Sequence, residues 1–435
     1  MNARTTALSG LIAIRRQNAW ADGALKEYTA RDRLDRRDAA LAARLLYGVV
    51  QNRMLLDFYL AQVVSGSLSG LQPVVLDILR LGAYQLLFLD KIPAAAAVNE
   101  AVEQTKTYAN KRAAGLVNGA LRALVRKKDM LEQPDDLATK YSHPQPLIDC
   151  LRTSLDAQTL EAFLAADNEI PKTALQVNPL RATPEQLVSA LEESGIAYEP
   201  HPWLPGCFLV SGTGNLEALP IFRSGAVYVQ DPAAKLAAIV SGAAPGMRVL
   251  DCCAAPGGKS FAAAMQMENK GSIRACDLHP HKLSLIEKNA ARLGIDIIRA
   301  EQRNAAEFSP ELAGGFDLVI ADVPCSGLGV IRKKPDIRYK PLDAIGRLPQ
   351  VQLAILENVC RYVKPGAVLL YSTCTVRREE NEDVVSAFLQ AHPEFSPEPF
   401  PVSAGLPLTN AGYATLLPHR HAADGFFICK LRKQP

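Results

Sequence analysis

No Cys-x-x-Cys pair occurs anywhere in the 435 residues, and the nine cysteines form no even-spaced framework. The first absence removes zinc ribbons and the zinc-deaminase signature, so no metal site is expected. The second leaves a reducing cytoplasm as the expected compartment. No run of 18 or more apolar residues exists, so nothing in the sequence is expected to span a membrane. The amino terminus, M-N-A-R-T-T-A-L-S-G, lacks the basic stretch, apolar core and small-residue cleavage site of a secretory signal. One glycine is also missing. In V-L-D-C-C-A-A-P-G-G-K-S-F, the stretch from Val249 to Phe261, a triphosphate loop G-x-x-x-x-G-K-[ST] would need glycine where Cys253 stands. Pro256 removes a backbone N–H that a phosphate nest would use. Both features argue against a nucleoside triphosphate.

What is present divides into three regions, as the length leads one to expect. The net charge of +3 conceals an asymmetry: residues 1–130 carry 19 Lys/Arg against 11 Asp/Glu, a net of +8, so the other 305 residues sum to −5. A basic amino-terminal third suggests a polyanion-binding module joined to something else. Its Leu41, Leu45, Val49 and Leu56 recur at helical intervals, a second helical block ends at Asp90, Pro93 opens another, and G-L-V-N-G-A-L-R-A-L-V-R-K-K follows. Residues 1–135 therefore read as an all-α bundle. Its cations gather at Arg31, Arg33, Arg36 and Arg37, and again at Lys111, Arg112, Arg122, Arg126, Lys127 and Lys128. On one face they would track a phosphate backbone; scattered, they would only keep the bundle soluble. Pro134, Pro144 and Pro146 mark a linker. Residues 146–230 read as a small α+β connector and a candidate RNA contact, with strand-like T-A-L-Q-V-N and C-F-L-V. Between these strands lies a helix with Thr183 as N-cap, Pro184 in its first turn and Gly195 near its end.

From 231 to 435 strands alternate with helices: M-R-V-L-D-C, S-I-R-A-C-D, I-D-I-I-R-A, F-D-L-V-I-A-D and A-V-L-L-Y-S. That rhythm predicts a doubly wound, mostly parallel sheet, whose ligands sit beyond the carboxyl ends of the strands. The Gly257-Gly258 turn lets backbone and ligand approach closely, and Asp277, closing the second strand, is spaced to accept hydrogen bonds from ribose hydroxyls. Asp251 and Asp277 are expected to form an acidic mouth suited to a positively charged nucleoside, and S-adenosylmethionine is such a ligand. The fourth strand ends in A-D-V-P-C-S-G-L-G and the fifth in Y-S-T-C-T, placing Asp322, Cys325 and Cys374 at neighbouring tips. Cys360, inside an apolar helix, reads as a small hydrophobe. Two thiols beside a sulfonium cofactor have a chemical use. C5 of cytosine is a poor nucleophile, and thiolate addition at C6 makes it enamine-like and able to take a methyl group. The adduct must then lose its C5 proton and expel sulfur, where a second group helps. Asp322 can hold the N3/N4 edge of the base.

These motifs resemble the RNA (cytosine-5) methyltransferases of the NOL1/NOP2/Sun group, and R-R-D-A-A-L-A-A-R-L-L-Y-G-V-V with A-A-G-L-V-N-G-A-L-R resembles the NusB-type helical RNA-binding domain. The carboxyl-terminal D-G-F-F-I-C-K-L is similar to the group's closing strand. The resemblance implies a NusB-like bundle, an α+β connector and a Rossmann-like class I methyltransferase domain. It implies Cys374 as nucleophile and Cys325 as the residue assisting product release. Cys253, Ala254, Ala255, Pro256, Gly257, Gly258, Lys259, Asp277 and Asp322 would line the cofactor and base sites. The group's third-strand Asp is best matched by Glu301, and its D-A-P-C-S reads D-V-P-C-S here. Lys259 and the loop cations Arg332, Lys333, Lys334 and Arg338, with Lys340, are expected to grip RNA beside a flipped nucleotide. The implied substrate is small-subunit (16S) ribosomal RNA, bound by a monomer without a protein partner. Transfer RNA is the runner-up substrate. A different class, an RNA-binding assembly or antitermination factor with little catalysis, is the further alternative.

Overall fold

The structure, a computed structural model, describes residues 2–213, 216–402, 406, 408 and 411–435. The chain forms two compact units. One comprises Met1–Asp149, Ala157–Glu169 and Ile331–Lys340; the other comprises Cys150–Asp156, Ile170–Val330 and Pro341–Pro435.

The first unit is helical: Ala3–Gln17, Ala21–Arg31, Arg36–Gln51, Arg53–Ala61, Pro73–Phe88, Ala94–Tyr108 and Lys111–Lys127 succeed one another. Local chemistry starts them, since Asn2, Asp35 and Asn110 each accept a backbone N–H three residues on. Leu45, Leu46, Leu56, Leu60, Ile78 and Leu121 are fully buried in its core, each contributing roughly 1.5–3 kcal/mol. The unit outruns the expected boundary at 135, for Ala157–Glu169 and Ile331–Lys340 belong to it.

That last segment corrects one expectation. Arg338, placed by sequence on RNA phosphates, is only 1% exposed. Its guanidinium donates to the carbonyls of Gln51 (2.8 Å), Tyr141 (3.2 Å) and Asp167 (2.9 Å) and to Asn168 Oδ1 (2.8 Å). A side chain spent on four internal acceptors cannot reach a phosphate, so Arg338 pins the helical unit together. Around it, Asp336 accepts the Ala21 N–H at 3.1 Å and Arg53 lies 3.6 Å from the Tyr339 ring centre. Lys340 lies over the Trp20 ring, Arg332 and Lys333 are half-buried, and Lys334 is exposed.

The second unit holds two sheets. Strands β1 (Thr173–Val177), β2 (Ala197–Pro200), β3 (Cys207–Ser211) and β4 (Val227–Val229) form an antiparallel sheet in the order β2-β3-β1-β4. The helix Pro184–Glu193 packs with them and carries the expected cap, Thr183, in a reciprocal pair with Gln186. The larger sheet contains β5 (Arg248–Asp251), β6 (Ser272–Asp277), β7 (Ile298–Gln302), β8 (Phe316–Asp322), β9 (Val363–Thr373), β10 (Phe395–Pro397), β11 (Tyr413–Leu416) and β12 (Phe426–Lys433). Its order is β10-β12-β9-β8-β5-β6-β7, with β11 on β12. Strands β5 to β9 pair in parallel, and β12 runs antiparallel to β9. Residues alternate between its faces. Leu318 and Ile320 join Val368 and Leu370 in one core with Ala237, Ala263 and Ile286, whereas Val319, Ala321, Leu369 and Tyr371 join Leu356 and Phe388 in the other. Cys360 is buried in the second core, as expected of a small hydrophobe. Asn178, fully buried, donates to the carbonyls of Gly225 and Leu293 and joins the small sheet to the large one. Helices cover both faces, so the free space for a ligand lies past the strand ends.

Replacing Arg338 by Ala should cost the helical unit about 3 kcal/mol by leaving buried carbonyls unpaired. Lys334→Ala should stay within about 0.5 kcal/mol of wild type. Thermal and urea unfolding of the two variants, side by side, check both.

Candidate active site

At the end of β5 the chain turns through Cys253, Ala254, Ala255 and Pro256 into the helix Gly258–Gln266. Ala254 N–H donates to Cys276 O and Gly257 N–H to Ala254 O, both at 2.7 Å, which fixes the turn to β6. Gly257 has φ +110°, and a Cβ there would lie 2.3 Å from the Phe261 ring, so only glycine makes this corner. Burial, with Asp251 nearby, holds the Cys253 thiol far above its ordinary range.

Asp277 ends β6, mostly buried, with Oδ1 accepting the His279 N–H at 3.0 Å and Lys282 Nζ 3.6 Å away. Its Oδ2 is free among the described residues. Asp251 does not share that mouth. It is 1% exposed beneath the turn, where Ser260 Oγ donates to it at 2.7 Å. Burial pushes its carboxyl up to about 7, against the Ser260 hydrogen bond and with the charge of Asp322 adding to the rise. Glu301 stands within β7, opposite Cys276, with guanidinium nitrogens of Arg274 (3.2 Å), Arg299 (3.3 Å) and Arg303 (3.1 Å) around its carboxylate. Three arginines hold it.

The β8 and β9 tips carry the chemistry. Asp322 faces Ser372 across the parallel ladder and accepts its hydroxyl at 2.7 Å. Its other oxygen lies 2.7 Å from Lys259 Nζ, which is itself 4.8 Å from the Phe426 ring centre. Lys259, also expected on RNA, is 7% exposed and committed to this ion pair. Beyond the tips, Cys325 Sγ and Cys374 Sγ approach to 3.0 Å, and the Cys374 N–H points at Cys325 Sγ at 3.2 Å. Both are half-buried free thiols. Sharing a proton with Cys374, and burial second, raise Cys325 well above the ordinary thiol range. Gly329 N–H donates to Cys374 O at 3.0 Å and Gly329 O accepts from Gly425 N–H at 2.8 Å. A Cβ on Gly329 would lie 1.8 Å from Gly425 O, so this seat requires glycine.

Behind the thiols is a clamp that sequence reading missed. Glu380, fully buried, accepts from Ser326 N–H (2.8 Å), Gln352 Nε2 (3.0 Å) and Arg377 Nη1 (3.2 Å). Asn381 accepts the Thr373 hydroxyl and donates to Thr375 O. One carboxylate and one amide thereby hold the loops of both cysteines. The run R-R-E-E-N-E after S-T-C-T is the available signal. Gln230 was missed as well. It is 7% exposed, neither polar atom of its amide has a partner, and Nε2 lies 3.1 Å from where a Cβ of residue 258 would sit.

A buried carboxamide without a partner among the described residues, at a glycine turn, is available to a polar ligand. The amino-acid end of S-adenosylmethionine suits it, donating and accepting, while Asp277 suits its ribose. Fold and site together define a Rossmann-like methyltransferase whose cofactor is S-adenosylmethionine. The family model described as 16S rRNA methyltransferase RsmB/F matches residues 239–432, a NusB family model matches 1–126, and an RsmF/B-like ferredoxin-like domain matches 143–217. The chain is 37% identical over 446 residues to a probable ribosomal RNA small subunit methyltransferase B of Bacillus subtilis, covering 100% of this chain and 99% of that one. It is 33% identical to ribosomal RNA small subunit methyltransferase B of Salmonella typhi, over 92% and 91% of the two chains. The crystal structure of PH0851 superposes with a TM-score of 0.80 over 98% of each chain, at 28% identity. That of NSun6 from Pyrococcus horikoshii with SFG shares the fold at TM-score 0.60 and 23% identity, over 67% of this chain and 98% of that one. The chain belongs to the RsmB/F family of 16S rRNA methyltransferases. No helix among its described residues is long and apolar enough to cross a membrane.

A carboxyl whose folded pKa lies above its unfolded value stabilises below the unfolded pKa and loses that contribution as pH rises to the folded one. For Asp251 the window runs from about 4 to about 7. Asp251→Asn should therefore raise the melting temperature more at pH 8 than at pH 5. Equal shifts at both pH values would show that the carboxyl is not held neutral.

Proposed function

We propose that the protein methylates C5 of a cytidine in small-subunit ribosomal RNA through a covalent bond between Cys374 and C6. The observation that carries this is the 3.0 Å approach of two free thiols at adjacent strand tips, beside an ion-paired Asp322. A methyltransferase acting on nitrogen or oxygen would have no use for such a pair. The substrate follows from family membership and from the relatives named for small-subunit ribosomal RNA.

Cys374 Sγ attacks C6, and the ring electrons are pushed toward C5. Cys325 Sγ, 3.0 Å from the attacking sulfur and contacted by the Cys374 N–H, stands beside it throughout. Asp322, fixed by Lys259 and Ser372, meets the N3/N4 edge where the ring changes charge. When bound, the sulfonium of S-adenosylmethionine supplies an electrophilic methyl group. The Asp277 carboxylate and the Cys253–Gly258 turn hold its nucleoside, and Gln230 its amino-acid end. After transfer a base takes the C5 proton, its electrons restore the C5–C6 double bond and expel the Cys374 thiolate, and Cys325, 3.0 Å away, assists that release.

With methyl-labelled cofactor, Cys374→Ala should lose transfer by at least about 10⁴-fold, as expected for a covalent nucleophile. Cys325→Ala should accumulate a protein–RNA adduct that resists denaturing gels. Label in ribosomal RNA supports the substrate assignment, whereas label in transfer RNA alone replaces it. Full activity in Cys374→Ala would remove the nucleophile assigned here.

A further inference from the structure

The 3.0 Å between Cys325 Sγ and Cys374 Sγ is only about 1 Å more than the length of a disulfide bond. The protein itself holds the two sulfurs this close. Glu380 accepts the Ser326 N–H at 2.8 Å on one side, and Asn381 donates to Thr375 O at 3.1 Å on the other. A further tie crosses between the loops, where Ser326 Oγ donates to Thr375 Oγ1 at 2.8 Å. Ser326 follows Cys325 directly and Thr375 follows Cys374, so this hydroxyl pair keeps the sulfurs side by side.

Exposure separates the pair from most other thiols of the chain. Cys207, Cys252, Cys276, Cys360 and Cys429 are buried, whereas Cys325 and Cys374 are half-buried and free. A nucleophilic sulfur open to a substrate is also open to a peroxide. Alone, it passes through the sulfenic acid to the sulfinic and sulfonic acids, and thiols do not reverse those later steps. A second thiol within bonding reach captures the sulfenic acid first.

We propose that Cys325 and Cys374 are a reversible oxidation site: peroxide joins them in a disulfide that stops methyl transfer, and a dithiol restores it. The effect on activity rests on the reading of Cys374 as nucleophile; the bond itself needs only the two sulfurs. The Cys374 thiolate attacks one peroxide oxygen, an S–O bond forms, the O–O bond breaks, and hydroxide leaves and takes a proton to become water. Cys325 then gives up its proton, and its sulfur displaces the hydroxyl from Cys374 as a second water. Two thiols and one hydrogen peroxide thus yield one disulfide and two waters, the sulfurs together losing two electrons. A dithiol returns those electrons through a mixed disulfide. Neither Asp277 nor the Cys253–Gly258 turn takes part, so cofactor binding persists in the oxidised protein.

The test uses the full chain, reduced and then exposed to hydrogen peroxide, with free thiols alkylated before peptide mass analysis without reductant. The wild type should yield a cross-linked pair of peptides that carries Cys325 and Cys374 and lacks two hydrogens. Methyl transfer should fall by at least about tenfold and return with dithiothreitol, while S-adenosylmethionine binding stays within about twofold. Cys150→Ser, at another half-buried thiol, should leave the cross-link unchanged. In Cys325→Ser, which lacks the second sulfur, peroxide should carry Cys374 to the sulfinic acid, a gain of two oxygens that dithiothreitol does not remove. A wild type whose two thiols both stay open to alkylation, or whose Cys374 reaches the sulfinic acid as fast as in that variant, would overturn the proposal. If the cross-link forms but Cys374→Ala still transfers methyl groups, the oxidation site stands and the nucleophile assigned above falls. If Cys374→Ala is inactive and no cross-link forms in the wild type, only the oxidation site falls.

Discussion

Asp322 lies opposite Ser372 in the parallel ladder of β8 on β9, and this one register places everything that follows. Cys325 comes three residues after the first and Cys374 two after the second, so both loops leave the sheet side by side. A slip of one residue would turn Ser372 to the other face of the sheet and separate the thiols. The ladder alone does not bring sulfur to within 3.0 Å of sulfur. Glu380 and Asn381 do that from behind, the first holding the loop of Cys325 and the second the loop of Cys374. Gly329 closes the arrangement by taking the Cys374 carbonyl, in a space too narrow for any side chain.

Charge in this site is managed by pairing and by burial, with different results for two nearby acids. Asp322 keeps an ammonium and a hydroxyl as partners, so its carboxylate can face a base edge without being stranded. Asp251, a few residues from the same lysine in sequence, is sealed under the turn with one hydroxyl, and its carboxyl titrates near neutrality. Its work is structural, fastening the start of the helix to β5. Of the two carboxylates expected to form an acidic mouth, only Asp277 stands at its strand end, and the Gln230 amide lies without a described partner by the glycine turn.

Much of this was legible in sequence because periodicity and punctuation are local. The helix cap at Thr183, the corner at Gly257 and the strand ends at Asp277 and Asp322 each follow from residues within a few positions. The failures share a cause. Arg338 sits in a run of cations that reads as a phosphate clamp, yet its acceptors are mostly backbone carbonyls near positions 51, 141 and 167, and carbonyls leave no mark on a sequence. Glu301 matches a family acid by position, but Arg274 comes to it across the β6–β7 ladder, a relation visible only in register, to join Arg299 two residues away on β7 itself. Glu380 lay unread beside a recognised motif because its partners, Ser326 and Gln352, arrive from two other segments.

The charge asymmetry along the chain now has a physical place in each unit. A sulfonium nucleoside is best held beside a carboxylate and a neutral amide, and cations crowded around that pocket would oppose it. A polyanion needs the reverse: positive charge without internal partners, because every carboxylate within reach would compete with phosphate. Lys259 shows how strictly the pocket enforces this, since the lysine nearest the cofactor turn is neutralised by Asp322 and seated against Phe426. On the helix Lys111–Lys127 the cations are left unpaired and the surface between them is stripped to glycine.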